Sequence, residues 1–119
     1  MDTRAKILTP EQCFEERANW GAHRIVTGYF DPMLAWHALR LADLTTEETV
    51  LVVALVDPPE PLLDSRSRAE LVAGLACVDR VVLPMANGSA AMRGDITEEA
   101  AHLERRTQLL AHVHTRHNR

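Results

Sequence analysis

The eight residues Thr49-Val50-Leu51-Val52-Val53-Ala54-Leu55-Val56 constrain the fold more than any other stretch. A continuous apolar run dominated by valine and leucine fits a strand covered on both faces, the mark of a parallel sheet. It ends at Asp57-Pro58-Pro59-Glu60-Pro61, where three prolines in four residues impose an extended loop. Two more short β-favouring runs, Ile25 to Phe30 and Val78 to Leu83, flank it and alternate with helical patterns. The predicted architecture is a three-layer α/β unit, with a parallel sheet of at least three strands and helices on both faces.

The first of those runs feeds directly into a helix. Ile25-Val26-Thr27-Gly28-Tyr29-Phe30 is apolar, and Pro32 to Leu41 sets Met33, Trp36, Leu39 and Arg40 at helical spacing. In open parallel sheets ligands bind beyond the carboxyl ends of the strands, so Asp31 to His37 is where a site is expected.

Upstream, Thr9-Pro10-Glu11-Gln12 reads as a capping box with proline at the first helical position. That helix is predicted to run through Cys13 and Phe14 to about Trp20, with Gly21 as its stop. Downstream, Ser65 or Ser67 is a candidate cap for a helix from about Arg68 to Ala76. Met85 to Gly94 is a loop, and Asp95-Ile96-Thr97-Glu98 offers a cap for a last helix through Ala100, Leu103, Leu110 and Val113.

The 119 residues suit a single domain, 1–119, and 46% hydrophobic with 25% charged content is ordinary for a globular protein. A net charge of -4 argues against a nucleic-acid partner. Cys13 and Cys77 lack metal-ligand spacing and are expected as reduced, packed thiols. No stretch approaches the roughly 18 apolar residues of a membrane span, and Met1 to Pro10 lacks a signal-peptide apolar region. A cytoplasmic protein without membrane contact is therefore expected. Of the six histidines, His102, His112, His114 and His117 lie near the end, but only the His114 and His117 spacing suits one helical face and no carboxylate joins them, so these four read as a solvated tail and not as a metal site. The dinucleotide G-x-G-x-x-G, the phosphate-cradling G-x-x-x-x-G-K and the hydrolase G-x-S-x-G are all absent.

Two segments carry a resemblance. Gly28-Tyr29-Phe30-Asp31 followed by Leu34-Ala35-Trp36-His37 resembles the G-x-F-D strand end and His-x-Gly-His helix start of cytidylyltransferase-like nucleotidyltransferases, which include glycerol-phosphate cytidylyltransferases and the adenylyltransferase domain of ADP-heptose synthases. Arg68-Ala69-Glu70 through Cys77-Val78-Asp79-Arg80-Val81-Val82 is similar to a second segment of the heptose-type enzymes, R-A-E-x-L-A-A-L-A-C-V-D-x-V-V. Lys6-Ile7-Leu8-Thr9 resembles the family's lead-in, so the likeness covers residues 6 to 84. It implies a shortened, Rossmann-like nucleotidyltransferase fold.

In that family, two signature histidines and a basic residue stabilise phosphate charge while a phosphorylated substrate displaces pyrophosphate, with Mg²⁺ accompanying the nucleotide. Here Leu34 holds the first histidine position and Trp36 the glycine position, and the serine-threonine-rich segment that grips phosphates has no counterpart. The resemblance carries over His37 as the catalytic candidate. Gly28, Tyr29, Phe30, Asp31, His37, Arg66 and Arg68 are the nucleotide- or phosphate-binding candidates. It implies a catalytically degenerate protein that binds CTP, ATP or a sugar phosphate, or nothing, and acts through a partner. The alternatives are an active transferase acting on a phosphorylated sugar or polyol, and a non-catalytic interaction module. Structural roles are equally open: His37 as a solvent-facing helix residue, Asp31 as a helix cap and Arg68 as a surface ion-pair member. The exposed sheet edges and the apolar stripe of the last helix predict a homodimer.

Overall fold

The computed structural model describes residues 2–117, with side chains up to residue 111. Nine elements follow one another: β1 (Ile7–Leu8), α1 (Pro10–Glu16), β2 (His23–Gly28), α2 (Ala35–Leu44), β3 (Val50–Leu55), α3 (Ser65–Ala73), β4 (Arg80–Val82), β5 (Ile96–Thr97) and α4 (Glu99–His117). The five strands form one parallel sheet in the order β1-β4-β3-β2-β5, a Rossmann-like α/β arrangement. Five strands satisfy the expected minimum of three, and β1 and β5 are the two that the sequence does not mark. Both additions are two residues long, too short to produce a periodic signal.

The Val/Leu run behaves as its composition demands. Leu51 to Leu55 are all at most 1% exposed, and they alternate between two cores. On one face Val26, Leu51, Val53 and Leu55 pack with Leu41, Leu44, Ala69 and Val72 from α2 and α3. On the other, Ile25, Val52, Ala54 and Val82 pack with Cys13 and Trp20 around α1 and with Met92. Helices therefore cover both faces. Cys13 is a buried free thiol and Cys77 a half-buried one.

The Thr9 capping box forms as read: Thr9 Oγ1 accepts from Gln12 N at 3.2 Å, and Gln12 Oε1 accepts from Thr9 N at 2.9 Å. α1 tightens into a 3-10 turn at Arg17–Asn19, and Gly21 stops the chain at φ 67°. Other local expectations are corrected. α3 is capped by Asp64, whose Oδ1 accepts from Ser67 N at 2.6 Å, in place of Ser65 or Ser67, and it ends at Ala73 rather than Ala76. α2 begins at Ala35 instead of Pro32, because Leu34 is still extended at φ -112°, ψ 167°. Its buried stripe is His37, Leu41 and Leu44, while Leu39 is 67% exposed. The proposed cap at Asp95 to Glu98 is instead β5, with Asp95 Oδ2 accepting from Ile25 N at 2.8 Å.

α4 lies beside α2, tied by Arg40 to Glu98 at 2.8 Å, and Arg106 donates to the carbonyls of Pro59 and Glu60 in the proline loop. The outward stripe of Ala100, Leu103 and Leu110 is exposed along a shallow groove of about 420 Å³ lined by Ala100, Leu103, Glu104, Thr107 and Gln108. Val113, and the tail histidines His112, His114 and His117, lie outside the residues whose side chains are described. Among the described residues, no helix is long and apolar enough to cross a membrane.

Candidate functional site

The sheet order makes β2 the point where the chain reverses direction: β3 lies on one side of it and β5 on the other. Ligands of open α/β sheets bind in the crevice beyond the strand ends at such a point. There β2 runs through Tyr29 to Leu34 into α2, and β5 runs into α4. Four rings from these two connections meet at that point: Phe30, Trp36, His37 and His102.

The meeting depends on a glycine. A Cβ on Gly28 would lie 2.7 Å from His102 Nδ1 and 2.9 Å from Phe30 Cε2, so only a residue without a side chain lets α4 come this close. His102 uses the approach. Its Nδ1 accepts from Tyr29 N at 3.0 Å and from Phe30 N at 3.3 Å, which stabilises Phe30 at φ 47°, an unusual left-handed conformation for an aromatic residue. Phe30 packs edge-on to the His102 ring at 4.3 Å between centroids.

His37 is 3% exposed, which overturns the solvent-facing reading. Its ring stands 4.4 Å from His102 and 5.1 Å from Trp36, both edge-on. Its Nδ1 accepts from Leu34 N at 2.8 Å, reaching back to the residue before the helix. Backbone N–H groups pointing at both Nδ1 atoms leave each neutral ring with its proton on Nε2. Each imidazole is thus an N–H donor at that atom and not a lone-pair ligand for a metal. Among the described residues, no group of three or more metal-ligating side chains is present. Burial away from water pushes the His37 pKa down to about 4, with the Glu98 charge opposing and the Arg105 charge assisting. The same burial, with His37 adding to it, pushes His102 to about 3. Both are uncharged at neutral pH.

His37 Nε2 is buried and has no hydrogen-bond partner among the described residues. Leu34 supplies no side-chain cap, so the first-turn amides of α2 also lack a side-chain acceptor. An orphaned N–H donor beside an uncapped helix N-terminus is a place for an oxygen acceptor, because leaving a buried donor unpaired costs about 1–3 kcal/mol.

The remaining candidates serve the scaffold. Asp31 is 3% exposed, and its two oxygens accept from Leu62 N at 2.7 Å and Leu63 N at 2.8 Å, so it holds the proline loop and does not cap α2. Arg68 is fully buried and is no surface ion-pair member. It donates to the carbonyls of Tyr29 and Val56 at 3.0 Å and of Leu63 at 3.2 Å, and it pairs with Asp57. Arg66 stays on the surface with Glu70, 3.4 Å away at the i+4 position. Tyr29 and Phe30 contribute their amides to His102. The structure therefore joins Gly28, Tyr29, Phe30 and His37 in one cluster and uses Asp31 and Arg68 as struts around it.

Sequence reasoning missed Arg105 and set His102 in a solvated tail, whereas His102 is 3% exposed. The Arg105 guanidinium lies 4.7 Å over the Trp36 ring, so the residue in the family's glycine position carries a cation on its face. No local pattern marks His102, since its role arises from hydrogen bonds to amides 73 and 72 residues away; a histidine one turn into a helix after a short strand was the only available signal. No protein-family model matches the chain, and no curated protein matches it.

Proposed function

We propose that the chain is a nucleotidyltransferase-like protein, related in fold and in the β2–α2 joint to cytidylyltransferases and ADP-heptose synthases, that binds a nucleotide or sugar phosphate without transferring it. The orphaned His37 Nε2–H carries this reading: it is buried, fixed as a donor by Leu34 N, and set at the uncapped start of α2 where the sheet changes direction. The loss of transfer follows from the same geometry. Leu34 donates nothing, Trp36 fills glycine space, Arg68 is spent on carbonyls, and the α4 start presents Glu98 and Glu99 where phosphate would be gripped. Removing donors aimed at a transition state costs several kcal/mol of stabilisation, enough to suppress turnover.

Calorimetric titration with CTP and ATP, with and without Mg²⁺, tests the binding, beside a His37→Ala variant. Micromolar binding lost in the variant is expected, with no pyrophosphate release above background against a panel of sugar phosphates. Absence of heat and of thermal shift up to millimolar nucleotide would overturn the reading. Sustained pyrophosphate release would restore the active transferase.

A second reading rests on α4. Its exposed face of Ala100, Leu103, Thr107 and Leu110 fits a second copy of this chain as a non-catalytic interaction surface. Light scattering that gives a monomer mass at high micromolar concentration would remove this homodimer.

A further inference from the structure

His37 Nε2 is shut off from solvent, so an acceptor reaches it only when a group packed on its ring gives way. Three rings pack there: Phe30 at 5.5 Å between centroids, Trp36 at 5.1 Å and His102 at 4.4 Å. Phe30 belongs to the core shared with α2 and α3, and Trp36 adjoins His37 on the same helix. His102, the nearest, is carried by α4. Its Nδ1 accepts from two successive amides, Tyr29 N and Phe30 N, with Phe30 left-handed at φ 47°. Two such amides aimed at one acceptor form the kind of concavity that holds an anionic oxygen, and the imidazole fills it. α4 is also the most loosely seated of the helices that meet at this point. α2 buries His37, Leu41 and Leu44, and α3 buries Arg68, Ala69, Val72 and Ala73, whereas among the described side chains of α4 His102 alone is buried and Glu99, Ala101, Arg106 and Leu109 are half-buried. Its other ties are polar or lie at the surface: Arg40 to Glu98 at 2.8 Å, Arg105 laid on Trp36, and Arg106 donating to the carbonyls of Pro59 at 3.1 Å and Glu60 at 2.6 Å. An element with so little apolar burial opens at lower cost than a core strand.

We propose that α4 is an autoinhibitory cover in which the His102 ring stands in for the ligand: α4 lifts from the β2–α2 joint while β2, β3 and β4 stay paired, and only the lifted state takes an anionic ligand. Lifting frees the Tyr29 and Phe30 amides and uncovers the His37 ring on the side that His102 now holds. The ligand in this inference rests on the His37 reading above; the lifting does not. A ligand that binds only a minor state has its affinity scaled down by the population of that state. Every contact that holds α4 down therefore competes with the ligand, and breaking one tightens binding.

The test is native-state hydrogen exchange by NMR in sub-denaturing urea, with calorimetric titration of CTP, on wild type, Arg106→Ala, Thr9→Ala and, as a charge-matched control, Arg93→Ala. Retained protection of β3 shows that each variant is folded. In wild type the Tyr29 and Phe30 amides should exchange about tenfold or more faster than those of β3, and with a weaker dependence on urea, because lifting a helix exposes less surface than unfolding. Thr9→Ala removes the cap of α1 on the other face of the sheet, an interaction that the lifted state keeps. It should speed exchange in β3 by about fivefold and leave Tyr29 and Phe30 unchanged. Arg106→Ala removes a contact that lifting breaks, so it should speed Tyr29 and Phe30 by about fivefold or more and tighten CTP by the same factor. Loss of a cation by itself weakens an anion, so the sign of that change separates the two effects, and Arg93→Ala should tighten nothing. Exchange of Tyr29 and Phe30 at the rate of β3, or an equal response to Thr9→Ala, would overturn the inference, since α4 would then leave only when the whole chain unfolds. CTP bound by wild type, and no more tightly by Arg106→Ala than by Arg93→Ala, would overturn it and leave the proposed function standing. Fast exchange of the two amides with no CTP bound by any variant would bear out the lifting of α4 and remove the proposed function.

Discussion

Gly28→Ala is expected to be far more costly than an alanine in a strand normally is, because His102 occupies the space the new methyl needs. The added carbon would lie 2.7 Å from His102 Nδ1 and 2.9 Å from Phe30 Cε2. Neither ring has room to yield: Phe30 is 1% and His102 3% exposed, their centroids are 4.3 Å apart, and His37 closes the far side at 4.4 Å. Overpacking a filled core costs about 1–3 kcal/mol. Displacing His102 also strips Tyr29 N and Phe30 N of their acceptor, at about 1–3 kcal/mol for each buried donor. The sum, about 3–9 kcal/mol, is a large part of the 5–15 kcal/mol by which domains are stable. Urea denaturation of wild type, Gly28→Ala, His102→Ala and the double variant measures it as a cycle. With the His102 ring gone only the Phe30 contact is left, and Phe30 can move into the vacated space, so the double variant should be more stable than additivity predicts by about 1.5 kcal/mol or more. Additivity within about 0.5 kcal/mol, the scatter of independent sites, would refute the argument.

Three other outcomes follow from the same packing. Arg68→Met should destabilise by about 3–5 kcal/mol in urea melts, since it leaves Asp57 without its guanidinium and three carbonyls without a donor; a loss below 1 kcal/mol would contradict the strut role. Stability should fall as pH drops below about 6.5, because the unfolded chain then protonates both imidazoles while the folded chain keeps them neutral down to about 4 at His37 and about 3 at His102. The slope approaches about 1.4 kcal/mol per pH unit for each histidine and is lost below those folded values, so denaturation midpoints at pH 7 and pH 5 should differ in wild type and converge in His37→Asn/His102→Asn. Leu103→Glu, at a position 40% exposed, should leave the melting temperature within a few degrees while abolishing any dimer seen by light scattering.

The sheet was legible where burial is two-sided. Val50 to Leu55 needs no periodicity to be read, because polar residues cannot sit on either face of a covered strand. The Thr9 box was legible because its chemistry is local, with donor and acceptor three residues apart. α2 was misread for the opposite reason. Trp36 and Leu39 look like core residues, but α4 lays His102 and Arg105 across that side, and the inward position goes to a histidine. Arg68 was given the wrong work, since nothing in Ser65 to Glu70 reveals that three main-chain carbonyls converge on it. The candidate site was half visible: the β2–α2 joint comes from one contiguous stretch, whereas its other wall arrives from α4, and a single sequence carries no signal of that pairing.

The segment from Asp95 to His102 also serves as a seal. β5 pairs with β2 only at Val26 and Thr27; beyond them, Asp95 bonds both main-chain groups of Ile25, Glu98 N donates to Thr27 O, and His102 takes the amides of Tyr29 and Phe30. These contacts together cover the outer margin of β2, beside which only the two-residue β5 lies. If α4 lifts, the exposed surface is an unpaired Ile25-Val26-Thr27 ribbon, a template on which another chain can add. Whatever holds α4 down therefore also protects the protein from polymerising through its own sheet.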